Sequence, residues 1–375
     1  NSDGKIEKKE YYSFKKITLD KSISEADILN EIERLLIAAV RKRLITADVP
    51  VGILLSGGLD SSLVAALAHD AAEMAQKPVP ECWTVADSED NPDWIAAELV
   101  ADTFNLKHHK HIIEEKSFEE TLPKLVWHGE DLDVTVLFFQ PLFEKMSKHV
   151  KVGLCGQGAD ELHGGYPRYR ELEKHKNLIK ERFNNFNFNI DSEKKGLHAA
   201  WDSETLNPSE DFSSVQKTLD FEMMRGQLTN FQLRLVDRHS MAHGLEVRVP
   251  FLGKSHWAMA KRIPISWKLP SNSIHGDEKR ALRSAARLTG LPESIIYRPK
   301  LPAGKATSPL LFENFIEEYG SYIEPLMSRY AGQTKLLSKQ PELAIGLGLF
   351  EALIIGKDRF AAMNKNVDEI LSKLI

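Results

Sequence analysis

Val51-Gly52-Ile53-Leu54-Leu55-Ser56-Gly57-Gly58-Leu59-Asp60-Ser61-Ser62-Leu63-Val64-Ala65-Ala66-Leu67-Ala68 sets an apolar run, a Ser/Gly turn and a helical pattern end to end. The run has the length of a buried strand, and Asp60, Ser61 or Ser62 is expected to cap the helix that follows. Gly57 and Gly58 let the backbone come close to an anion, and the new helix offers it unpaired N–H groups and the positive end of a dipole. The unit reads as strand, phosphate-binding turn and helix. A plain tight connection has the same local pattern, so the rest of a nucleotide site has to come from elsewhere in the chain.

On the N-terminal side, Ile28, Ile32, Leu35, Leu36, Ala39 and Val40 recur at helical spacing after a Ser24 N-cap, and Arg41, Lys42 and Arg43 close that helix. Residues 1–23 are polar and basic around Tyr11, Tyr12 and Phe14, as in an arm or linker. On the C-terminal side the helix after the glycine turn is predicted to run to about Ala75. Further strands are predicted at Glu81–Val85, Lys107–Ile113 and Lys151–Cys155, with helices at Pro92–Phe104, Leu122–His128 and Leu137–Lys148. This alternation implies an α/β fold, a parallel sheet with helices on both faces. Ligands of such sheets lie beyond the C-terminal strand ends. The rule selects Ser56–Ser62, Val85–Asp87, the loop after Ile113 and the stretch from Gly156.

Residues 24–166 are thus expected to form the α/β core, a candidate nucleotide-binding unit. Residues 167–215, rich in Lys, Glu and Asn and including Phe183-Asn184-Asn185-Phe186-Asn187-Phe188-Asn189, read as a peripheral excursion. From 216 to 375 the patterns at Glu222–Ala242, Ser255–Arg262, Lys279–Leu288 and Leu343–Met363 are helical, with almost no strand signal between them. With 49 Lys+Arg against 54 Asp+Glu the net charge is -5, which disfavours a nucleic-acid partner. Cys82 and Cys155 sit in apolar runs and form neither a disulfide framework nor a zinc pattern. No apolar stretch approaches the roughly 20 residues of a membrane span, and the expected location is cytoplasmic.

Three further stretches carry chemistry. Gly156-Gln157-Gly158-Ala159-Asp160-Glu161-Leu162-His163-Gly164-Gly165-Tyr166 follows a strand end, as the first glycine turn does. Asp160, together with Asp60, suits magnesium, which takes hard oxygen ligands and leaves room for phosphate; capping of a helix is the plainer role for Asp160 and Glu161. Leu235 to Leu252 concentrates Asp237, Arg238, His239, His243, Glu246 and Arg248 amid apolar residues, as an ion-paired helix end also would. His239 and His243 share a helix face, but no third zinc ligand is close in sequence. Tyr297-Arg298-Pro299-Lys300 opens a Gly/Pro/Ser loop, on which a lysine can meet a charged transition state or simply face solvent.

Taken together these stretches resemble the synthetase domain of the class B asparagine synthetase family. Ser56–Ser62 is similar to its pyrophosphatase loop. Gly156–Tyr166 is similar to its Gly-Glu-Gly-Ala-Asp-Glu-Leu-Phe-Gly-Gly-Tyr motif, and Asp237–Leu252 to its Asp-Arg-Met-Ser-Met-Ala-His-Ser-Leu-Glu-Val-Arg-Val-Pro-Phe-Leu. Lys300 lies where the family carries its catalytic lysine. The resemblance implies an ATP pyrophosphatase fold with a mostly helical C-terminal part. It also implies a reaction in which a carboxylate attacks the α-phosphate of ATP, pyrophosphate leaves, and ammonia or another amine displaces AMP. By the same resemblance Ser56, Gly57, Gly58, Ser61 and Ser62 hold pyrophosphate and Asp60 and Asp160 hold Mg2+. Leu54 and Val85 flank adenine, and Cys155, Gly156 and Gln157 complete the nucleotide-facing set. Lys300, Gln157 and Glu246 are its candidate catalytic residues.

The chain departs from the family pattern at Gln157, where Glu is usual, at Gly253, where Asp is usual, and over Leu301–Pro309. It is also expected to lack an N-terminal glutaminase domain, residues 1–20 reading as the linker before the synthetase domain. Nitrogen would then come from a separate glutaminase chain or free ammonia. The family's offshoots, such as β-lactam synthetases and lasso-peptide cyclases, use another amine instead, and Gln157 favours such a specialised enzyme. A silent binding or scaffold subunit would be marked by loss of Asp60, Asp160 or Lys300, all of which are present. The aromatic arm offers a docking surface, and a homodimer is one expected assembly.

Overall fold

The computed structural model describes residues 24–131, 139–185, 208–224, 226–270, 277–300 and 309–375. The arm, most of the Phe183–Asn189 run and the loop after Lys300 lie outside these residues. Among the described residues five parallel strands form one sheet in the order β3-β2-β1-β4-β5: β1 (Val51–Leu54), β2 (Glu81–Ala86), β3 (His108–Ile112), β4 (Val152–Leu154) and β5 (Glu246–Arg248). The first of them alternates as a strand buried on both faces must. Ile53 and the following Leu55 enter one core, and Leu54 enters the other with Trp83, Val85 and Cys155.

The first core is closed by α1 (Glu25–Ile45), α2 (Leu59–Ala66), α3 (Ala68–Ala75) and α4 (Pro92–Thr103). The Ser24 Oγ accepts from the Asp27 N–H at 3.2 Å and starts α1, whose Ile28, Ile32, Leu35, Leu36, Ala39 and Val40 are buried as the spacing predicts. The second core is closed by α5 (Glu115–Gly129), α6 (Phe139–Ser147) and the C-terminal helices from Pro309 onward. Between β4 and β5 run α7 (Ala159–His163), α8 (Leu172–Asn185), α9 (Pro208–Asp211), α10 (Val215–Met224) and α11 (Leu233–Met241). After β5 come α12 (Lys254–Arg262), α13 (Ile265–Lys268), α14 (Arg280–Ala286) and α15 (Glu293–Ile296).

The structure differs from the sequence expectation in five places. The helix predicted to reach Ala75 breaks at Leu67, where no Gly or Pro marks the break. Helical patterns at 222–242 and 343–363 are interrupted by π-helical turns at Leu228–Gln232 and Glu351–Ile355. A fifth strand exists where almost no strand signal was found. Its three residues carry no apolar run, and backbone pairing makes it: Glu246 N–H donates to Lys151 O at 2.9 Å and Cys155 N–H to Arg248 O at 3.1 Å. Both ends of the supposed peripheral excursion are packed inward, with Tyr169 and Ile179 at one end and Phe212 at the other buried near α10. Among the described residues no helix is long and apolar enough to cross a membrane.

Candidate active site

From β1 the chain moves outward to β2 and β3, then returns to β4 on the other side, so the strand order reverses between β1 and β4. The crevice beyond the C-terminal ends of those two strands is where open α/β sheets bind ligands. Both glycine turns sit there. Gly57 has φ +67°, and a Cβ on it would come within 2.6 Å of Ala96 Cβ and Ala97 N on α4. A Cβ on Gly156 would lie 2.7 Å from Asp60 Cβ and 2.8 Å from Ser61 N, so the two turns pack backbone against backbone.

The expected side-chain cap of α2 is absent: Gly58 is its N-cap and no side chain accepts there. Ser61 instead donates to Gly58 O at 3.2 Å, accepts from the Ser56 N–H at 3.2 Å and lies 3.1 Å from Ser56 Oγ. The turn is braced while the first N–H groups of α2 stay available to an anion. Ser62 is fully buried beneath them.

Four charged side chains converge in front of this turn. Lys279 Nζ is 2.7 and 2.6 Å from the two oxygens of Asp60 and 2.5 Å from Asp160 Oδ1, and Lys300 Nζ is 3.0 Å from Asp160 Oδ2. Burial alone would raise the Asp160 carboxyl, but Lys279 and Lys300 outweigh it and hold the group well below the usual range. Burial likewise works against the Lys300 charge, and Asp160 and Asp60 overcome it and push the ammonium upward. Asp60 is different. Burial raises its carboxyl, the Asp160 charge adds to that, and Lys279 compensates only in part. The two carboxylates thus share one ammonium and can still accept positive charge. Ser56, Gly58, Ser61, Asp93 and Arg298 line the same solvent-open pocket.

Lys279 escaped the sequence reading, in which it only opened a helical pattern. In Asp277-Glu278-Lys279-Arg280 it looks like part of a solvated charge run, and no local signal separates it. Behind the site a second polar group is buried. Both oxygens of Glu161 lack a hydrogen-bond partner among the described residues, and burial with the Asp160 charge raises its carboxyl to about 8. The Arg168 guanidinium lies 4.0 Å from the Tyr166 ring centroid and 3.5 Å from Glu222, while Lys300 Nζ is 5.8 Å from the same ring.

Other sequence-selected residues are placed differently. Leu54, Val85 and Cys155 are buried in the second core, and burial pushes the Cys155 thiol up to about 11. Gly156 and Gln157 are half-buried at the end of β4, beside the site. Glu246 is not brought to it. It is exposed at the start of β5 opposite Val152, at the N-terminal end of the sheet, and it accepts from Arg248 Nε at 2.8 Å. Arg238 and Arg248 tie chain segments together, donating to Gly129 O at 2.9 Å and to Arg43 O at 2.6 Å. Among the described residues no three His, Cys, Asp or Glu side chains are grouped to hold a metal, so His239 and His243 gain no third partner.

A model of the asparagine synthase family matches residues 31–332. The chain is 30% identical over 270 residues to the glutamine-hydrolysing asparagine synthetase of Cricetulus griseus, covering 70% of this chain and 40% of that protein. It is 30% identical over 280 residues to the Homo sapiens glutamine-hydrolysing asparagine synthetase, with 73% and 42% covered. It is 31% identical over 274 residues to glutamine-hydrolysing asparagine synthetase 2 of Arabidopsis thaliana, with 70% and 40% covered. The chain spans about two fifths of the length of these relatives.

Proposed function

Because the chain belongs to the asparagine synthase family, we propose that it is an ATP-dependent amide-forming ligase that activates a substrate carboxylate as an acyl-adenylate. The observation that carries this reading is the convergence of Asp60, Asp160, Lys279 and Lys300 on the open N-terminus of α2. A carboxylate oxygen attacks the α-phosphorus of ATP, and the bond to the β-phosphate oxygen breaks. The α2 N–H groups and the Ser56 and Ser61 hydroxyls receive the departing pyrophosphate, and Lys279 and Lys300 offset the charge that grows on it. In the second step an amine attacks the acyl carbon, loses a proton and displaces AMP.

Asp60 and Asp160 are the residues that would hold Mg2+. Their carboxylates are the hard oxygen donors such an ion prefers, and both now contact the Lys279 ammonium, which would have to give way to it. When bound, the ion would neutralise phosphate charge. A specialised amide synthetase or cyclase is the second reading, favoured by Gln157, a neutral amide at the crevice where the family usually has a carboxylate.

Incubation with ATP, magnesium and a panel of acids, offered ammonia, hydroxylamine or glutamine, tests the proposal when nucleotides and product masses are read together. AMP and pyrophosphate are expected with the productive acid. ADP and phosphate as the only nucleotide products would overturn it. The amine that yields an amide distinguishes asparagine-type synthesis from the specialised reading.

A further inference from the structure

We propose that Asp93 is a positioning residue for Lys300, acting through Arg298. The turn after β2 is braced from within: Asn91 Oδ1 accepts from the Asp93 N–H at 2.8 Å, capping α4, and Asn91 Nδ2 donates to Asp87 Oδ1 at 2.9 Å. The Asp93 carboxylate then reaches the segment that bears the lysine. Asp93 Oδ1 lies 2.7 Å from Arg298 Nη2, with side chains only 9% and 15% exposed. Farther along, the Leu310 N–H donates to Asp87 Oδ2 at 3.0 Å.

Arg283 grips the opposite side of the segment. Its Nη1 donates to the carbonyls of Ile296 and Arg298, the latter at 3.2 Å, while Nε donates to Glu278 O at 2.7 Å and Nη2 to Glu278 Oε1 at 3.1 Å. The backbone at Arg298 is therefore fixed to α14 and its side chain to α4. Lys300, two residues on, projects from this clamp to Asp160 at 3.0 Å. On this segment Arg283 holds the main-chain carbonyls of Ile296 and Arg298, so removing the Asp93 charge frees the side of the segment that faces α4. A half-buried guanidinium then keeps its charge without that counter-ion and has reason to move.

Arg298 and Asp93 also line the pocket, so a rival role for Arg298 is direct contact with the triphosphate. The two roles separate kinetically: a ligand raises KM for ATP, whereas a positioning pair lowers kcat. The inference rests on the ligase reading for its kinetics, and a chemical readout at Lys300 makes it independent of turnover. Four variants are needed: Asp93→Asn, Asp93→Glu, Arg298→Gln and the double Asp93→Asn/Arg298→Gln. For each, AMP formation is measured, and limited acetylation of Lys300 by acetic anhydride is quantified by peptide mass spectrometry, with exposed Lys254 as reference.

Asp93→Asn and Arg298→Gln are each expected to lower kcat about tenfold with KM for ATP within about twofold. The double variant should lose no more than either single one, because both break the same contact. Asp93→Glu should restore most of the rate, and acetylation of Lys300 should rise several-fold in Asp93→Asn against an unchanged Lys254. A raised KM with intact kcat overturns the proposal, as does unchanged Lys300 acetylation in Asp93→Asn. If the parent chain forms AMP with no acid, the ligase reading fails, while the acetylation ratio still decides the position of Lys300.

Discussion

Lys279 and Asp60 meet through both carboxylate oxygens, at 2.7 and 2.6 Å, although 219 residues separate them in the chain. The same ammonium is 2.5 Å from Asp160 and is almost wholly buried, so one side chain joins both glycine turns to the C-terminal part of the chain. Removing it leaves two buried carboxylates without their shared ammonium, with Lys300 still 3.0 Å from Asp160. Lys279→Ala is expected to cost about 3–5 kcal/mol in urea unfolding, and added magnesium should return part of that loss. A variant as stable as the parent, with no response to magnesium, would show that the carboxylates need no shared cation.

Lys300 is the more exposed of the two lysines, with 29% of its side chain accessible against 2% for Lys279. Its replacement therefore strips the transition state more than the fold. Lys300→Ala should bind ATP within about threefold of the parent and turn over about 10²–10³-fold more slowly, the usual cost of losing one preorganised charge at a reacting centre. Equilibrium binding and steady-state AMP release on one preparation check both halves.

Glu161 makes stability fall as pH rises. The unfolded chain loses this proton near 4.5, whereas burial and the Asp160 charge keep it on the folded chain to about 8. The native state therefore binds more protons between these values, and stability declines across that window with increasing pH. Asp160 acts oppositely and elsewhere. Its lowered carboxyl contributes stability above its ordinary 3.8 that is lost only as pH falls further. Glu161→Gln should flatten the decline between pH 4.5 and 8 and leave the acid limb unchanged, as read from urea midpoints at each pH.

Much of this was legible in local sequence because local chemistry made it so. Val51–Ala68 and Gly156–Gly165 read as strand ends followed by glycine turns, and Ile53, Leu54 and Leu55 alternate between the two cores as a buried strand must. The Gly/Pro loop alone left Lys300 between a reacting and a solvated role, and the family resemblance singled it out. Contacts between distant segments were not legible. Lys279 is defined by carboxylates that no window around it contains. The short β5 exists through backbone bonds to Lys151 and Cys155 rather than through its own side chains. Glu246 lies within a motif whose spacing does not reveal which end of a strand it occupies, and the sheet places it at the end away from the site.

His163 occupies the position at which the resembled motif carries Phe, and it is fully buried with Nε2 3.0 Å from His256 Nε2. Burial lowers His256 to about 3 and His163 well below its usual value, so the pair is neutral and one imidazole donates to the other. Both Nδ1 atoms lack a partner among the described residues. His163→Phe alone strands His256 and should cost about 1–3 kcal/mol, whereas His163→Phe/His256→Leu removes both polar groups and should recover most of it. A thermal double-mutant cycle measures the coupling, and additive losses would contradict a shared hydrogen bond.

Gly164 and Gly165 are neighbours that the structure requires for different reasons. Gly164 has φ +75°, but a Cβ there would meet nothing closer than Lys268 Cβ at 3.7 Å, so alanine brings backbone strain alone. Gly165 needs no left-handed backbone, and its N–H donates to Asp160 O at 2.8 Å. A Cβ at Gly165 would fall 2.0 Å from Asp160 Oδ1 and 2.1 Å from Lys279 Cε. Side-chain ends can usually yield, but these two are buried and held against each other, so relief of the clash separates the ion pair. Gly164→Ala is expected to lose about 1 kcal/mol of stability and keep its turnover. Gly165→Ala should lose turnover by about a hundredfold, the scale on which misplacing a reacting group by 1 Å acts. Unfolding midpoints and AMP release measured on both variants check the contrast, and equal activity in the two would mean that Asp160 and Lys279 can part without consequence for the reaction.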